Sequence, residues 1–501
     1  MSVLGIDLGT SSCKVGVFNE TGLLAAAGRE YPILSPAPGY AELDPVAAWN
    51  SVKESLRDAL SQAGPEAGKV QAISFSSMGE VIVPLDKDGV VVSNALHSYD
   101  IRGSEYSESL LADIGQEAFY RINPNSIGPY YSLSKMLWFR DHLPERYRQT
   151  AKFLLMADFI AYRFGAKPFT SNSLANRTLL FDYTRNDWSD TLLDWAKFPR
   201  EKLGAIVSGG TVVGEINPEV ARELSLPPDI ILVSGGHDQG CNSLGCGATR
   251  PGMAVAGMGT YETFCPTIAM PPDPLNYLRE IRNLEHHVLP GLFVSFLYTH
   301  SGLLINWFRK TFAPELQPTA GKSPYQILDS EMPAEPTNIF FLPHNEPLQW
   351  PDYQADTSGV FIGLKTATTR GEMFKALLEG IAFFFADSLV YLERMGMKPD
   401  SFIASGGSSR SDAILQIRAD VLDITLTRLE TGEGSLTGAA ILAARAAGMF
   451  KTPDEAVKAY TRLGRTFTPD PGRREFYRQS AAFYQRLDHE TSSLRSALSR
   501  R

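Results

Sequence analysis

The sequence predicts an α/β protein built as two domains facing each other across a cleft. Three observations carry that expectation. The chain has 501 residues, more than one hydrophobic core organises, so two or more domains are expected. Strand patterns alternate with helical periodicity in both halves. The opening "GIDLGTSSCKVGVF" is echoed later by "GMAVAGMGTYETFCP", and each turns on Gly-Thr. The repeat divides the chain into 1–245 and 246–501.

The elements follow in order. "SVLGIDLG" and "KVGVFN" read as a hairpin and "LLAAAGREY" as a third strand. "PVAAWNSVKESLRDALSQA" has helical spacing, with Asp44 as N-cap and Pro45 in the first turn. "VQAISFSS" reads as a buried strand, and "VIVPLDKDGVVV" as a hairpin turning on Asp88-Gly89. "YSLSKMLWFRDH" and "MADFIAYRFG" read as amphipathic helices. "DIILVSGGHDQGCNSLGCG" reads as a strand, a glycine turn and a short helix. In the second half "GEMFKALLEGIAFFFADSLVYLERMG" is a long helix, and "SFIASGG" a strand entering a glycine turn. "SDAILQIRADVL" is a helix, "DITLTR" a strand, and "GSLTGAAILAARAAG" a helix stopped by Gly448. The proline-rich stretches 266–274 and 313–337 read as loops.

Composition removes several classes of function. The net charge of -9 argues against a nucleic-acid partner. The basic tail "LRSALSRR" reads as a solvated terminus. No run reaches the about 20 apolar residues that span a bilayer, and "MSVLGIDLG" has no charged leader region. The four cysteines, Cys13, Cys241, Cys246 and Cys265, form no CxxC pair. Reduced core thiols in a cytoplasmic protein are the simple expectation, with no membrane partner.

Glycine and hydroxyl residues cluster where phosphates could sit. Gly9, Thr10, Ser11 and Ser12 form one tip, and Gly259 with Thr260 the other. Backbone N–H groups at such tips suit a polyphosphate. "SGGSSRSD" at 405–412 adds a strand end, two glycines and a helix start. Two decoys fall away. "AGKS" at 320–323 lacks the P-loop's first glycine, since the chain has Leu316 there. No GxGxxG follows the first strand, which disfavours a dinucleotide-binding fold.

Taken together, the motifs resemble those of the FGGY carbohydrate kinases, relatives of actin, heat-shock chaperones and hexokinase. "IDLGTSSCKVGVF" matches the family's first phosphate motif, and "AGMGT" at 256–260 the second. "YYSLSKMLWFRDH" fits its Lys-x-x-Trp signature, and "SGGHDQ" the turn that carries its catalytic aspartate. "SGLLINW" resembles a nucleotide-contacting helix start, and "SGGSSRSDAILQIRAD" the adenosine motif. The resemblance implies two ribonuclease H-like (actin-like ATPase) domains around a central cleft. It implies a sugar-binding first domain and a nucleotide-binding second domain, ATP and Mg²⁺ as cofactors, and homodimers as a common state. Asp238 takes the catalytic place. Gly9, Thr10, Ser11, Ser12, Lys14, Gly259, Thr260, Gly302, Asn306, Gly406, Gly407 and Ser411 fall on nucleotide positions.

The implied reaction moves the ATP γ-phosphate to a sugar or polyol hydroxyl, which is mainly positioning and charge neutralisation. Asp238 would accept the hydroxyl proton; an acid after glycines also suits capping of the helix near Gln239. Asp7 would hold Mg²⁺ or bond the backbone, because an acid within an apolar strand is costly unless satisfied. Lys14 would add charge to the phosphate site or stand exposed on its strand. Asp100 and Arg102 remain from the family's Trp-x-Asp-x-Arg stretch, with Ser98 replacing the Trp, and would bind the acceptor by offering opposite charges to its hydroxyls. Met78 would pack an apolar sugar face. Glu80 would bond sugar hydroxyls or be a solvated loop acid. His237 would bond substrate or a backbone carbonyl. The chain has Met78-Gly79 where xylulokinases carry Met-His, and Ser408 where the adenosine motif has a third glycine. A ketopentose such as D-xylulose leads as acceptor, with gluconate, another ketose or a polyol as alternatives. An ATPase without sugar transfer is the remoter reading. Closure of the two domains would exclude water, so the sugar should accelerate closure and the chain alone should hydrolyse ATP slowly.

Overall fold

The computed structural model describes residues 1–281, 283–317, 321–345, 357–430 and 432–499. Residue 320 of "AGKS", residues 318–320 of the second proline-rich stretch and the last two residues of the tail lie outside them.

The first half is built on β1 (Ser2–Leu8), β2 (Ser12–Asn19), β3 (Gly22–Glu30), β4 (Val70–Ser77), β5 (Val212–Glu215) and β6 (Ile231–His237). They form one sheet in the order β5-β6-β4-β1-β2-β3. β1, β2 and β3 are an antiparallel meander, while β1, β4 and β6 run parallel. Helices α1 (Pro45–Ala63), α2 (Ser132–His142) and α3 (Asp238–Gly245) belong to this half. The α1 start follows its sequence signal: Asp44 accepts from the amides of Val46 and Ala47.

The second half repeats the plan with β7 (Met253–Met258), β8 (Tyr261–Ile268), β9 (Ser401–Ser405), β10 (Leu426–Leu429) and β11 (Leu463–Phe467). β7 pairs antiparallel with β8, and β7, β9 and β10 run parallel. β11 closes the edge antiparallel to β10, as β5 does beside β6. The helices used below are α4 (Gly302–Phe312), α5 (Pro324–Glu331), α6 (Arg370–Arg394), α7 (Asp412–Leu422) and α8 (Gly434–Ala446). The duplication expected from the two Gly-Thr tips is thus present in strand order and direction.

Period two along β1 sends Leu4, Ile6 and Leu8 to one face and Val3, Gly5 and Asp7 to the other. The second face is covered by α8, from the opposite half of the chain, in an apolar cluster that includes Val3, Phe18, Val233, Leu436 and Ala440. Contact there is close: a Cβ on Gly5 would lie 2.5 Å from the Leu436 carbonyl oxygen. α8 also crosses α3 on glycines. A Cβ on Gly245 would meet the Gly434 oxygen at 1.9 Å, and one on Gly438 the Cys241 oxygen at 1.9 Å. So α3 and α8, each following a parallel strand of its own sheet, join the halves beneath the cleft.

Four local expectations need correction. Gly235 and Gly236 form no turn; β6 runs through them to His237. Their role is close approach, since a Cβ on Gly235 would lie 1.8 Å from the Phe75 oxygen. The proline-rich stretches are not all loop: Pro266 ends inside β8, and α5 lies within the second stretch behind a capping box of Ser323 and Gln326. Asp88-Gly89 does turn, with Gly89 at φ +78, yet the returning segment makes only an isolated bridge from Val91 to Leu85. The terminus is not simply solvated, because Arg495 is buried and paired with Asp488 at 2.5 Å. The four cysteines are buried free thiols.

Candidate active site

The first tip is a tight turn, closed by the Gly9 amide on the Ser12 carbonyl at 2.9 Å. Tyr31, on the strand exit, fixes it twice. Its hydroxyl donates to the Gly9 oxygen at 2.5 Å, and its amide to the Ser11 oxygen at 2.9 Å. Thr10 and Ser12 are half-buried and Ser11 is exposed. Lys14 stands exposed on β2 and pairs with Glu433, just before α8, at 2.6 Å. That bond links the two halves of the chain.

Asp7 lies on the β1 face toward α3. Its Oδ1 is buried with no hydrogen-bond partner. Burial, helped by the negative charge of Asp238, pushes its carboxyl up to about 7. An orphaned carboxylate oxygen beside a second acid fits a divalent cation. Among the described residues no group of three or more His, Cys, Asp or Glu side chains converges on a metal. Mg²⁺, which takes one or two carboxylates together with substrate phosphates, needs no such cage.

Asp238 is the first residue of α3, where the helix dipole favours a negative charge. It does not cap its helix: His237 holds the N-cap position, and no side chain bonds the first-turn amides. The carboxylate is partly open, at 24% exposure, and its Oδ1 lies 3.3 Å from His237 Nε2. Ser435 at the start of α8 donates to the Asp238 carbonyl at 3.1 Å.

The second half holds a cavity of about 680 Å³. Of the residues expected to bind nucleotide, Gly259, Thr260, Gly302, Asn306, Gly407 and Ser411 line it. Gly406 lies just behind, at φ +94, where a Cβ would clash with the Met258 oxygen at 2.8 Å. Gly302 lets α4 start against the second tip, since its Cβ would lie 2.5 Å from the Gly259 oxygen. Ser411 caps α7 and donates to Asp329 at 2.7 Å. Ser323, Tyr325, Gln326, Asp329 and Arg410 also line the cavity. Ser323 belongs to the rejected "AGKS": it serves here as a helix cap, not as part of a P-loop.

Glu80 is not a solvated acid. It is buried, with a left-handed φ of +59, and pairs with Arg177. Such a conformation costs a non-glycine residue roughly 1–3 kcal/mol and concentrates at functional sites. Arg177 also pairs with Glu285 at 2.6 Å, and Glu285 Oε2 lies 3.3 Å from His237 Nδ1. A continuous chain therefore runs Glu80, Arg177, Glu285, His237, Asp238. Arg177 and the buried neighbour of Met78, Gly79, fit together: a Cβ on residue 79 would lie 3.0 Å from Arg177 Cγ.

Asp100 and Arg102 answer mainly to each other. Arg102 donates to both Asp100 oxygens at 2.5–3.0 Å, and the Ala41 amide donates to Oδ2 at 2.8 Å. The guanidinium lies between Tyr40 and Trp138, 4.1 and 4.8 Å from the ring centroids. Lys135 of the Lys-x-x-Trp signature is fully buried and donates to the carbonyls of Pro129, Tyr130 and Tyr131. The signature thus braces the loop before α2 and stacks on Arg102. Sequence reasoning missed Tyr31, Arg177, Glu285 and Asp329, because each reaches the site from a segment with no glycine pattern of its own.

Comparison with known proteins gives the family. The N-terminal domain of the FGGY family of carbohydrate kinases matches residues 2–245, and its C-terminal domain residues 276–447. The chain is 26% identical to the xylulose kinase of Bacillus subtilis, over 99% of this chain and 98% of that one. It is 28% identical to an Escherichia coli autoinducer-2 kinase, over 96% and 93%. The crystal structure of xylulose kinase from Rhodospirillum rubrum superposes with a TM-score of 0.89 at 27% identity, covering 99% of both chains. Both family models match, and together they cover most of the sequence: the chain belongs to the FGGY family of carbohydrate kinases.

Proposed function

We propose that this kinase transfers the γ-phosphate of ATP to a hydroxyl of a neutral sugar, a ketopentose such as D-xylulose, with Asp238 as the base. One observation carries the reading: Asp238 heads α3 with its carboxylate partly open, uncommitted to capping, and close enough to Asp7 for the two charges to interact. The adenine and ribose occupy the second-half cavity, between the α4 start and Ser411. The phosphates run from Gly259 and Thr260 toward Thr10, Ser11 and Ser12. Lys14 swings from Glu433 to the phosphates when they arrive, since an exposed ion pair contributes only about 0–1 kcal/mol. Asp7 holds Mg²⁺, which when bound neutralises phosphate charge. Asp238 takes the acceptor proton late, so a weak base suffices for a loose transition state.

Charge supports a neutral acceptor. Glu80, Glu285 and Asp238 set three carboxylates against the single guanidinium of Arg177. An acidic sugar such as gluconate meets excess negative charge there. The names of the Bacillus subtilis and Rhodospirillum rubrum relatives favour xylulose among the neutral sugars. Met78 supplies an apolar wall for the sugar carbons. The test is ADP release with Mg-ATP over a panel of ketoses, aldoses, polyols and sugar acids. A neutral ketose with the highest kcat/KM supports the reading; gluconate as the best acceptor overturns it.

A further inference from the structure

Glu285 belongs by sequence to the nucleotide-binding half, yet it sits in the acceptor half's catalytic network. It lies on the short strand Glu285–His286, which pairs with Phe293–Val294 and through it with β8. This tongue reaches out from the edge of the second sheet and seats on the first half. The Leu284 amide donates to the Pro124 oxygen at 2.8 Å, and the His286 amide to Asn176 Oδ1 at 3.0 Å. Val288 fits over glycines of the catalytic segment: a Cβ on Gly236 would lie 2.9 Å from Val288 Cγ1, and one on Gly240 3.2 Å. Those glycines flank His237 and Asp238.

The Glu285 side chain is 1% exposed. A carboxylate so buried survives only when paired. Its partners are Arg177 on one oxygen and His237 Nδ1 on the other. Burial pushes the carboxyl up, but Arg177 and His237 together outweigh it and hold the carboxyl below its ordinary range, so it stays ionised. A carboxylate 3.3 Å from Nδ1 favours the tautomer that carries its proton on Nδ1 and holds that edge of the ring toward Glu285. Nε2 then faces Asp238 Oδ1 at 3.3 Å. His237 Nδ1 and Glu285 Oε2 are both buried and neither makes a hydrogen bond, so their approach at 3.3 Å is an ion-pair contact that leaves each atom only the other to face.

We propose that Glu285 is a positioning residue for the catalytic aspartate, acting through His237, and that it is supplied across the domain boundary by the seated tongue. This rests on Asp238 being the base. The nucleotide half thereby sets the geometry of the acceptor half's base. The base is correctly aimed only when the tongue is home.

The test uses the full-length enzyme with Mg-ATP and its best acceptor. Glu285→Gln keeps the side chain's volume but loses the charge, and can turn an amide N–H toward Nδ1, which reverses the ring's proton placement. A misaimed base costs about 10-fold to 100-fold. So kcat should fall by that factor while KM for ATP stays within about twofold. Glu285→Asp, which restores the charge, should recover part of kcat. In a His237→Gln background Glu285→Gln should add less than about twofold, because the path through the ring is already cut. Wild-type kcat in Glu285→Gln overturns the proposal. So do full additivity with His237→Gln, and a loss confined to melting temperature. Asp238→Asn separates the two readings. If it retains transfer, the base assignment fails; if it is inactive while Glu285→Gln is normal, only the positioning role fails.

Discussion

Replacing Gly438 by alanine puts the link between fold and chemistry under direct strain. Gly438 lies in α8 where it crosses α3, and an alanine Cβ would sit 1.9 Å from the Cys241 carbonyl oxygen. Ordinary contact begins at 3.4 Å, so the helices must part by the difference, about 1.5 Å. The obstacle is backbone and cannot rotate away. Alanine gains about 1 kcal/mol of helix propensity over glycine, whereas overpacking costs about 1–3 kcal/mol. The net loss of stability is therefore modest, roughly 0–2 kcal/mol. The catalytic loss is larger. Cys241 is on the first turn behind Asp238, so a shift of α3 moves the base relative to the nucleotide, and 1 Å of misplacement costs about 100-fold. The assay is kcat from coupled ADP release, with thermal unfolding in parallel. Gly432→Ala is the control, because nothing lies within 4 Å of its Cβ. The expected result is kcat down by tens-fold to 100-fold for Gly438→Ala and normal for Gly432→Ala. Wild-type kcat with an unchanged melting temperature in Gly438→Ala refutes the reasoning.

Asp7→Asn should stabilise the protein while disabling it. Folding raises the Asp7 carboxyl from 3.8 to about 7. The folded chain then binds that proton more tightly than the unfolded one, so wild-type stability falls as pH rises from about 4 to 7. Without Mg²⁺ and nucleotide the variant should melt higher than wild type at pH 8 and equally near pH 4; a lower melting point at pH 8 contradicts this. Transfer by Asp7→Asn should be lost at either pH. Tyr31→Phe deletes the hydroxyl that holds the Gly9 carbonyl. It should raise KM for ATP by about 5-fold to 10-fold, near 1 kcal/mol, with kcat little changed; an unchanged KM removes Tyr31 from the phosphate site.

The sequence exposed those parts of the molecule that are local and periodic. Both hairpins carry glycine at a tight tip, and the apolar alternation of β1 fixes which face Asp7 takes. The capped helices α1 and α7 begin where Asp44 and Ser411 stand. What stayed hidden is long-range. The glycines of "SGGHDQ" look like a turn and are a strand interior, because their constraint comes from Phe75 and Val288 in other segments. Glu80 looks solvated, since its partner Arg177 lies 97 residues away. Asp100 and Arg102 look available, though they bond one another, Asp100 accepts from Ala41 and Arg102 pairs with Glu42. Glu285 carries no motif and reaches the base only through a tongue that tertiary packing seats.

The central claim is that one carboxylate at the head of α3 serves the acceptor while a separate cavity holds the nucleotide. Asp238→Asn measured for both functions tests it most directly. Phosphoryl transfer should fall by at least about 100-fold, while calorimetric affinity for Mg-ATP stays within about twofold of wild type. Transfer that persists in the variant, or nucleotide binding lost along with it, contradicts the claim.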